Sequence, residues 1–267
     1  MSVILKTHGE LQYFVSEEIS VPHCFTTRKG GVSKGVLSSM NIGTSRGDSR
    51  ENVLKNYEIL GEALGFDPHR VVLSRQCHSD IVQVVDEKQA GAGLYTEHLP
   101  DCDALVTNEK GLALVVFTAD CTPILFHDPV TGAVGAAHAG WRGTASAIAA
   151  RTVETMEKTF GAKPENIHAA IGPNIGKCHF ETNADVPEAM VKAFGSAAEA
   201  FIEPRGEKYH VDLKAINHMI LQSAGVTHVE ISDACTYCQP ELFWSHRITG
   251  QERGSQGAVI LCTEACR

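Results

Sequence analysis

The sequence has neither an excess of positive charge nor a long uninterrupted apolar run. Lys and Arg total 23 against 32 Asp and Glu, which gives a formal net charge of −9 over 267 residues. Binding a nucleic-acid backbone requires clustered cations, so the balance argues against a nucleic-acid partner but still allows one locally held phosphate. The longest apolar stretch, from Gly111 to His127, contains Asp120 and Pro123 and is too short to cross a bilayer. No membrane partner is expected.

The sequence also lacks a recognisable secretory leader and a disulfide framework. The first residues, MSVILKTHGELQYF, hold only a short apolar patch before charged residues. The nine cysteines are odd in number and irregularly spaced. Reduced thiols and a cytoplasmic location are therefore expected.

Compact metal-binding motifs are missing as well. Thirteen histidines include no H-x-H pair and no H-E-x-x-H, so the sequence signatures of blue-copper oxidases and zincins are absent. Cys235 and Cys238 form one C-x-x-C, and the downstream Cys262 and Cys266 are spaced as C-x3-C. Because a structural zinc site needs a second pair at suitable spacing, we interpret these cysteines as core or incidental residues. Any metal must be held by residues distant in sequence.

Hydrophobic periodicity predicts one domain, residues 1–267, of mixed strands and helices. The order is neither a regular βαβ series nor all-β, which favours an α/β or α+β fold with helices covering mixed sheets. Helices are predicted over residues 49–65 (capped by Ser49 and Gly65), 144–159, 185–195 and 212–224. Strands are predicted within 21–35, on both sides of a polar turn at 76–80, repeatedly across 104–143, within 167–176 and near 227–231.

Three candidate functional side chains follow apolar, strand-like runs. They are His78 in RQCHSD, Cys121 in TADC and His138 in AAHAGWRG. Sites are often assembled at strand ends, because the scaffold is rigid and the end is open. Two imidazoles and a thiolate suit a Zn²⁺ ion with one open position. A Cys–His nucleophilic pair, or a buried thiol beside a core histidine, explains the same residues, and the residues alone leave all three readings open.

Eight motifs then supply a family resemblance. In chain order they are CFTTRKGGVS, MNIGTSRGD, RQCHSD, DCDALVTN, TADCTPILFHDP, GAAHAGWRGT, AIGPNIGKCHFE and CTYCQPELFWSHR. Together they resemble the bacterial polyphenol oxidase, or multicopper laccase-domain, family, also described as purine nucleoside phosphorylases. The resemblance spans about residues 20–262, and TADC followed by AAHAGWRG is its most specific part. It implies an αββα sandwich of mixed sheets, related to deamidating toxins with a Cys–His pair.

The resemblance also implies an activity and a metal. The family's ligands fall on His78, Cys121 and His138, with zinc as the cofactor and Cu²⁺ as the alternative. The implied substrates are phosphate and the purine nucleosides adenosine, inosine and 5′-methylthioadenosine, which are cleaved to base and a ribose 1-phosphate. Deamination of adenosine to inosine is the implied second activity. A laccase-like copper oxidase, a cysteine hydrolase using Cys121 and His138, and a binding module remain alternatives, and the oligomeric state stays open.

These reactions require further residues. Deamination needs a proton shuttle, for which Asp120 is the candidate; its alternative role is to fix the loop by hydrogen bonding. Phosphorolysis needs cations and backbone amides around the anion. Arg28 in TTRKGG and Arg142 in GWRG each combine a guanidinium with neighbouring glycines. Asn41 and Arg46 in MNIGTSRGD are expected to line the same pocket.

Overall fold

The computed structural model describes residues 3–263, whose main elements are two six-stranded sheets, a smaller three-stranded sheet and six α-helices. The strands are Ile4–His8 (β1), Leu11–Val15 (β2), His23–Thr26 (β3), Val71–Leu73 (β4), Val82–Val84 (β5), Ala104–Thr107 (β6), Ala113–Thr118 (β7), Thr122–His127 (β8), Val134–Ala139 (β9), His168–Ile171 (β10), Glu181–Thr182 (β11), Ile202–Arg205 (β12), Lys208–Val211 (β13), His228–Ile231 (β14) and Gln256–Leu261 (β15). The helices are Arg50–Leu64 (α1), Trp141–Ala145 (α2), Ile148–Phe160 (α3), Asp185–Phe194 (α4), Leu213–Ser223 (α5) and His246–Thr249 (α6).

Both large sheets mix parallel and antiparallel neighbours. The first has the strand order β1-β2-β3-β15-β7-β4, and the second has the order β14-β10-β8-β9-β6-β5. The β4–β7 pair is parallel in the first sheet, and the β5–β6 and β10–β14 pairs are parallel in the second. The third sheet, β11-β13-β12, is antiparallel.

The sheets pack face to face and each has helices on its outer side. Leu114 of β7, Leu125 of β8 and Ala136 of β9 belong to the apolar core between the sheets. The first sheet is covered by α1, and the second is covered by α3, α4 and α5. The central strands β8 and β9 are buried on both faces. Strands of this kind appear in sequence as nearly continuous apolar runs. The layer order confirms the expected αββα sandwich.

Three of the four predicted helices are confirmed with small shifts at their ends. The first begins after Ser49, whose hydroxyl accepts a hydrogen bond from the backbone N–H of Asn52 at 3.2 Å. It ends at Gly65, which has a left-handed φ of 79°. Residues 185–195 and 212–224 correspond to α4 and α5.

The predicted helix over 144–159 is wrong as a single element. Two helices, α2 and α3, meet at Ala147, which has a left-handed φ of 57°. After this break α3 buries Ile148, Val153 and Met156 toward the second sheet. Alanine is the strongest helix former, so the sequence carries no local signal for the break.

The predicted strands around residues 76–80 exist, but they are not a hairpin. Strand β4 lies in the first sheet and β5 in the second, so the turn between them passes from one sheet to the other. Strands within 21–35, 104–143, 167–176 and 227–231 are confirmed as β3, β6 to β9, β10 and β14. Strands β1, β2, β11 to β13 and β15 and helix α6 were not predicted. None of the described helices combines the length and apolar character needed to cross a membrane.

Replacing Leu125 by alanine is expected to destabilise the sandwich. Its side chain is fully buried between the sheets, so truncation leaves a cavity that costs about 2–5 kcal/mol. The free energy of unfolding from denaturant titration measures the loss. The matched control is Val130→Ala, since Val130 is 67% exposed and its truncation should change stability by less than about 0.5 kcal/mol. Equal losses in both variants would contradict this account of the core.

Candidate metal centre and adjoining pocket

Two passages between the sheets carry two of the three predicted side chains. His78 lies on the passage from β4 to β5, and Cys121 lies on the passage from β7 to β8. His138 lies near the end of β9, opposite Pro123 of β8. The potential ligand atoms of all three lie within 4.8 Å of one another. The structure therefore brings together residues that are up to 60 positions apart in sequence.

The carboxylate of Asp103 fixes the relative positions of the two histidines. It accepts hydrogen bonds from the backbone N–H groups of Cys77, His78 and Ser79, at 3.1, 3.1 and 2.7 Å, and from the Ser79 hydroxyl at 2.8 Å. Nδ1 of His138 donates at 2.8 Å to Oδ1, the same oxygen that accepts from the His78 N–H, which leaves Nε2 of that ring facing Cys121. Asp103 is fully buried just before β6. The sequence reasoning missed it, although it lies in the DCDALVTN motif.

Asp120 fixes the passage that carries Cys121. One carboxylate oxygen accepts from the Thr236 hydroxyl at 2.6 Å, and the other accepts from the Ser245 hydroxyl at 3.0 Å and the Arg247 backbone N–H at 2.7 Å. Both oxygens are thus engaged with protein donors. The side chain does not line the pocket described below. The geometry favours its alternative role as a loop anchor over that of a proton shuttle.

Backbone strain coincides with these two anchors. Among the described non-glycine residues only His78, Asp120 and Ala147 have a left-handed φ, at 63°, 86° and 57°. A non-glycine residue in that region costs about 1–3 kcal/mol and persists only where its surroundings hold it. Asp103 accepts the hydrogen bonds that hold the turn around His78, and the Asp120 side chain connects its own backbone to two other segments.

The electrostatics of the three residues favour a thiolate beside an imidazolium in the metal-free protein. Burial acts to raise the pKa of the Cys121 thiol, but the charge of His138 and hydrogen bonds from His138 and His78 lower it to about 6. Burial acts to lower the pKa of His138, but Cys121 and Asp103 raise it to about 9. The hydrogen bonds to Asp103 outweigh its burial and hold the pKa of its carboxyl well below the usual range.

The three side chains fit a tetrahedral metal ion with one open position. Nε2 of His78 lies 3.9 Å from Sγ of Cys121, and the two imidazole rings meet edge to face at 4.9 Å between centroids. The space between them is kept open by Gly140, where a Cβ atom would lie 2.9 Å from the His78 ring and 3.2 Å from Sγ of Cys121. Two imidazoles and one thiolate are ligands that zinc and copper both accept, and the second nitrogen of His138 is hydrogen-bonded as in metal-ligating histidines.

A pocket of about 350 Å³ opens onto these residues. Its volume lies within the range of small-molecule sites, roughly 300–1,000 Å³. The lining includes three arginines, Arg46, Arg75 and Arg253, and none of its described residues is Asp or Glu. Arg253 is buried, and its Nε has no hydrogen-bond partner among the described residues. Burial, together with the charge of Arg46, lowers the pKa of Arg253 to about 10. The pocket is therefore suited to an anion.

Of the four predicted substrate-binding residues, the structure places only Arg46 in the lining. Arg28 donates to the carbonyls of Ser38 and Pro240 instead, at 3.1 and 3.0 Å. Arg142 is exposed on α2, 4.1 Å above the ring of Trp141.

Asn41 also lies outside the lining, because it is fully buried. It acts indirectly: its side-chain oxygen accepts from the backbone of Gly43 and Ser255, which do line the pocket. Arg253 was missed because nothing in its segment, GQERGSQG, indicates burial.

Sequence and structure comparisons agree on one set of relatives. The family described as multi-copper polyphenol oxidoreductase laccase matches residues 22–263. A purine nucleoside phosphorylase of Deinococcus radiodurans is 40% identical over 242 residues, covering 91% of this chain and 89% of that protein. Purine nucleoside phosphorylase YlmD of Geobacillus stearothermophilus is 37% identical over 240 residues, covering 88% and 86%. The crystal structure of YlmD from that organism superposes with a TM-score of 0.87 at 33% identity, covering 98% of this chain and all of that one.

Replacing Asp103 by asparagine is expected to weaken metal binding. The asparagine amide is neutral and has one acceptor oxygen, so it cannot replace the two charged oxygens that accept from His138 and from the backbone of residues 77–79. The ligands then lose their fixed orientation. Loss of such a supporting carboxylate typically costs 10- to 100-fold in metal affinity. Competition against a chromophoric chelator measures the zinc affinity. Asp101→Asn is the control, because its exposed carboxylate pairs with Arg75 and not with a ligand; a comparable loss there would contradict the role of Asp103.

Metal-free protein is expected to be alkylated at Cys121, and zinc is expected to protect it. With a pKa of about 6 the thiol is mostly ionised at pH 7, so the rate with iodoacetamide should rise through pH 6 and then level off. Peptide mass spectrometry identifies the modified thiol. Cys24 is the internal control, since burial raises the pKa of its thiol and it should stay unmodified. Equal rates with and without zinc would argue against Cys121 as a ligand.

Proposed function

The chain belongs to the family described as multi-copper polyphenol oxidoreductase laccase, and from this premise we propose that it is a zinc-dependent purine nucleoside phosphorylase. The relatives named above, at 37% and 40% identity, carry that enzyme's name. The observation that supports the proposal most directly is the arginine-lined pocket beside the candidate metal centre. Such a pocket is suited to phosphate, which is the co-substrate of phosphorolysis.

Phosphate binds between Arg46 and Arg253 in this proposal. The two guanidinium groups are close enough for the charge of Arg46 to lower the pKa of Arg253, and an anion between them relieves that repulsion. Arg46 is held by the Ser255 hydroxyl at 3.2 Å and by Gln251 at 3.2 Å, so it is oriented before the anion arrives. The unpaired Nε of Arg253 gains an acceptor. Charge-assisted hydrogen bonds of this kind are the strong ones.

The nucleoside occupies the rest of the pocket. Phe117 offers an aromatic face for the base, and its backbone is held by Gln76, which bonds both its N–H and its carbonyl. Adenosine, inosine and 5′-methylthioadenosine are the proposed substrates. A phosphate oxygen attacks C1′ of the ribose, the C1′–N9 bond breaks with its electron pair, and the base leaves with a proton. His98, the lining imidazole outside the ligand group, is the proposed donor of that proton.

The metal is held by His78, Cys121 and His138 in this proposal. When bound, zinc supplies a Lewis acid beside the substrate. Nδ1 of His138 keeps its proton and donates it in a hydrogen bond to Asp103, so Nε2 is free to act as a ligand. We expect zinc rather than copper, because the three donors suit zinc's tetrahedral preference.

Deamination of adenosine is the proposed side activity. It needs a carboxylate to move protons at C6, and Asp120, the sequence candidate, is engaged with Thr236, Ser245 and Arg247. We therefore place deamination second to phosphorolysis.

A cysteine hydrolase is the second candidate function. Its supporting observation is that His138 lies between Cys121 and Asp103, the order of nucleophile, base and orienting carboxylate in a catalytic triad. In that case the thiolate must stay free, and added zinc would inhibit the enzyme. Under the phosphorylase proposal, zinc is required.

Product analysis with adenosine, with and without phosphate, tests the proposal. Phosphate-dependent adenine and ribose 1-phosphate are expected from the zinc-loaded protein and should be lost in Cys121→Ala. Arg253→Gln should raise the KM for phosphate roughly 10- to 100-fold, since a hydrogen bond to a charged group contributes about 1.5–3 kcal/mol. Arg142→Gln, an exposed arginine outside the pocket, is the matched control and should leave the KM unchanged.

Three outcomes would overturn the proposal. Inosine formed without phosphate, and no adenine, would assign a zinc deaminase. Oxidation of phenols by copper-loaded protein alone would assign the oxidase. A KM for phosphate that Arg253→Gln leaves unchanged would remove the anion site.

A further inference from the structure

A second group of metal-ligating side chains lies outside the pocket. Cys178, His179, Cys235 and Cys238 offer ligand atoms that all lie within 4.8 Å of one another. We call these four residues the Cys3His cluster. The sequence pattern of Cys235 and Cys238 alone predicts core or incidental residues, because the downstream pair Cys262 and Cys266 has unsuitable spacing for a shared zinc site. Cys262 is buried and bonds to the Gly132 carbonyl, and Cys266 lies outside the described residues.

The sheet topology explains how the cluster forms. Cys178 and His179 lie on a turn after β10, and Cys235 and Cys238 lie on a turn after β14. These two strands are parallel neighbours, with His168 opposite His228, so their carboxyl ends lie at the same edge of the second sheet. A parallel bridge from Asn174 to Cys235 carries the pairing beyond the strands. Residues 57 positions apart are brought together in this way.

The distances match a tetrahedral zinc ion. Sγ of Cys178 lies 3.7 Å from Sγ of Cys235 and 3.7 Å from Sγ of Cys238. Nδ1 of His179 lies 3.2 Å from Sγ of Cys178 and 3.3 Å from Sγ of Cys238. With Zn–S bonds of about 2.3 Å and Zn–N bonds of about 2.0–2.1 Å, tetrahedral ligands are separated by about 3.8 Å for two sulfurs and about 3.6 Å for sulfur and nitrogen. Small adjustments bring all four ligands to one ion.

The surroundings orient the ligands. The backbone N–H of Gly176 donates to Sγ of Cys235 at 3.2 Å, a bond that favours a thiolate. A Cβ at Gly176 would lie 3.2 Å from Sγ of Cys178, so this position needs glycine for the close approach. The ring of Tyr237 stacks on His179 with 4.0 Å between centroids. Cys178 and Cys238 are exposed, which gives an ion a route of entry.

We propose that the Cys3His cluster binds a structural zinc ion. Three thiolates and one imidazole fill all four tetrahedral positions, so the site is closed to substrate, unlike the three-ligand centre in the pocket. Soft thiolate ligands in tetrahedral arrangement select zinc over harder divalent ions. This proposal does not depend on the proposed enzymatic activity.

The ion would stabilise the scaffold of the catalytic centre. Thr236, between Cys235 and Cys238, donates its hydroxyl to Asp120, the left-handed residue before Cys121. Arg247 donates its backbone N–H to Asp120 and its guanidinium to the His179 carbonyl. A zinc ion that fixes these two turns therefore supports two of the three partners of Asp120, Thr236 and Arg247. The cluster positions the centre and does not take part in the chemistry.

Zinc content per chain tests this assignment. The full chain is purified with reductant and without a histidine tag, and bound zinc is measured by inductively coupled plasma mass spectrometry. We expect close to two ions for the wild type and one each for Cys121→Ala and Cys178→Ser. Cys24→Ala, which removes a buried thiol of the first sheet, is the control and should retain two.

The coordination of the ion is read from the Cys121→Ala variant, in which only the Cys3His cluster remains complete. Its zinc absorption fine structure should show three sulfurs at about 2.3 Å and one nitrogen at about 2.0–2.1 Å. A folded Cys121→Ala protein without zinc, or a Cys178→Ser protein with the wild-type content, would overturn the proposal. A mass lower by two hydrogens under non-reducing conditions would instead assign a disulfide within the cluster.

Discussion

The buried carboxylate of Asp103 is the interaction on which the candidate centre depends. It is charged, fully buried and surrounded by donors from two segments, the turn of residues 77–79 and His138. A charge is tolerated in such a place only when hydrogen bonds replace its hydration. Here those same bonds set the left-handed backbone of His78 and the tautomer of His138. One side chain thus determines the orientation of two of the three candidate ligands.

Asp120 stabilises the passage from β7 to β8, as Asp103 stabilises the passage from β4 to β5. Both passages cross from one sheet to the other within a few residues, and each contains a non-glycine residue in a left-handed conformation. The backbone strain is therefore concentrated where the ligands are presented, and hydrogen bonds accepted by the two carboxylates stabilise it there. Strained backbone at a ligand-bearing turn is the expected cost of aiming side chains from two layers at one point.

Several features of the protein were readable from sequence because they are local or because the family resemblance supplied them. Helix α1 carries its own cap and stop, and the motifs around His78, Cys121 and His138 identified the residues that the fold brings together. The break at Ala147 had no local signal, since alanine favours helix. Arg253 is an ordinary charged residue in sequence and becomes notable only through its burial. The partnership of Cys178 with Cys235 depends on the parallel pairing of β10 and β14, which no spacing rule expresses.

The placement of the centre on both passages has a thermodynamic consequence for the whole sandwich. An ion bound there would join the two sheets by ligands that the unfolded chain does not hold in register. Ligand binding to the folded state alone adds RT ln(1 + [L]/Kd) to stability, about 2.7 kcal/mol when free metal exceeds its dissociation constant 100-fold. The concentration of free metal would then change the free energy of unfolding of both sheets together, as well as the fraction of chains with a loaded centre.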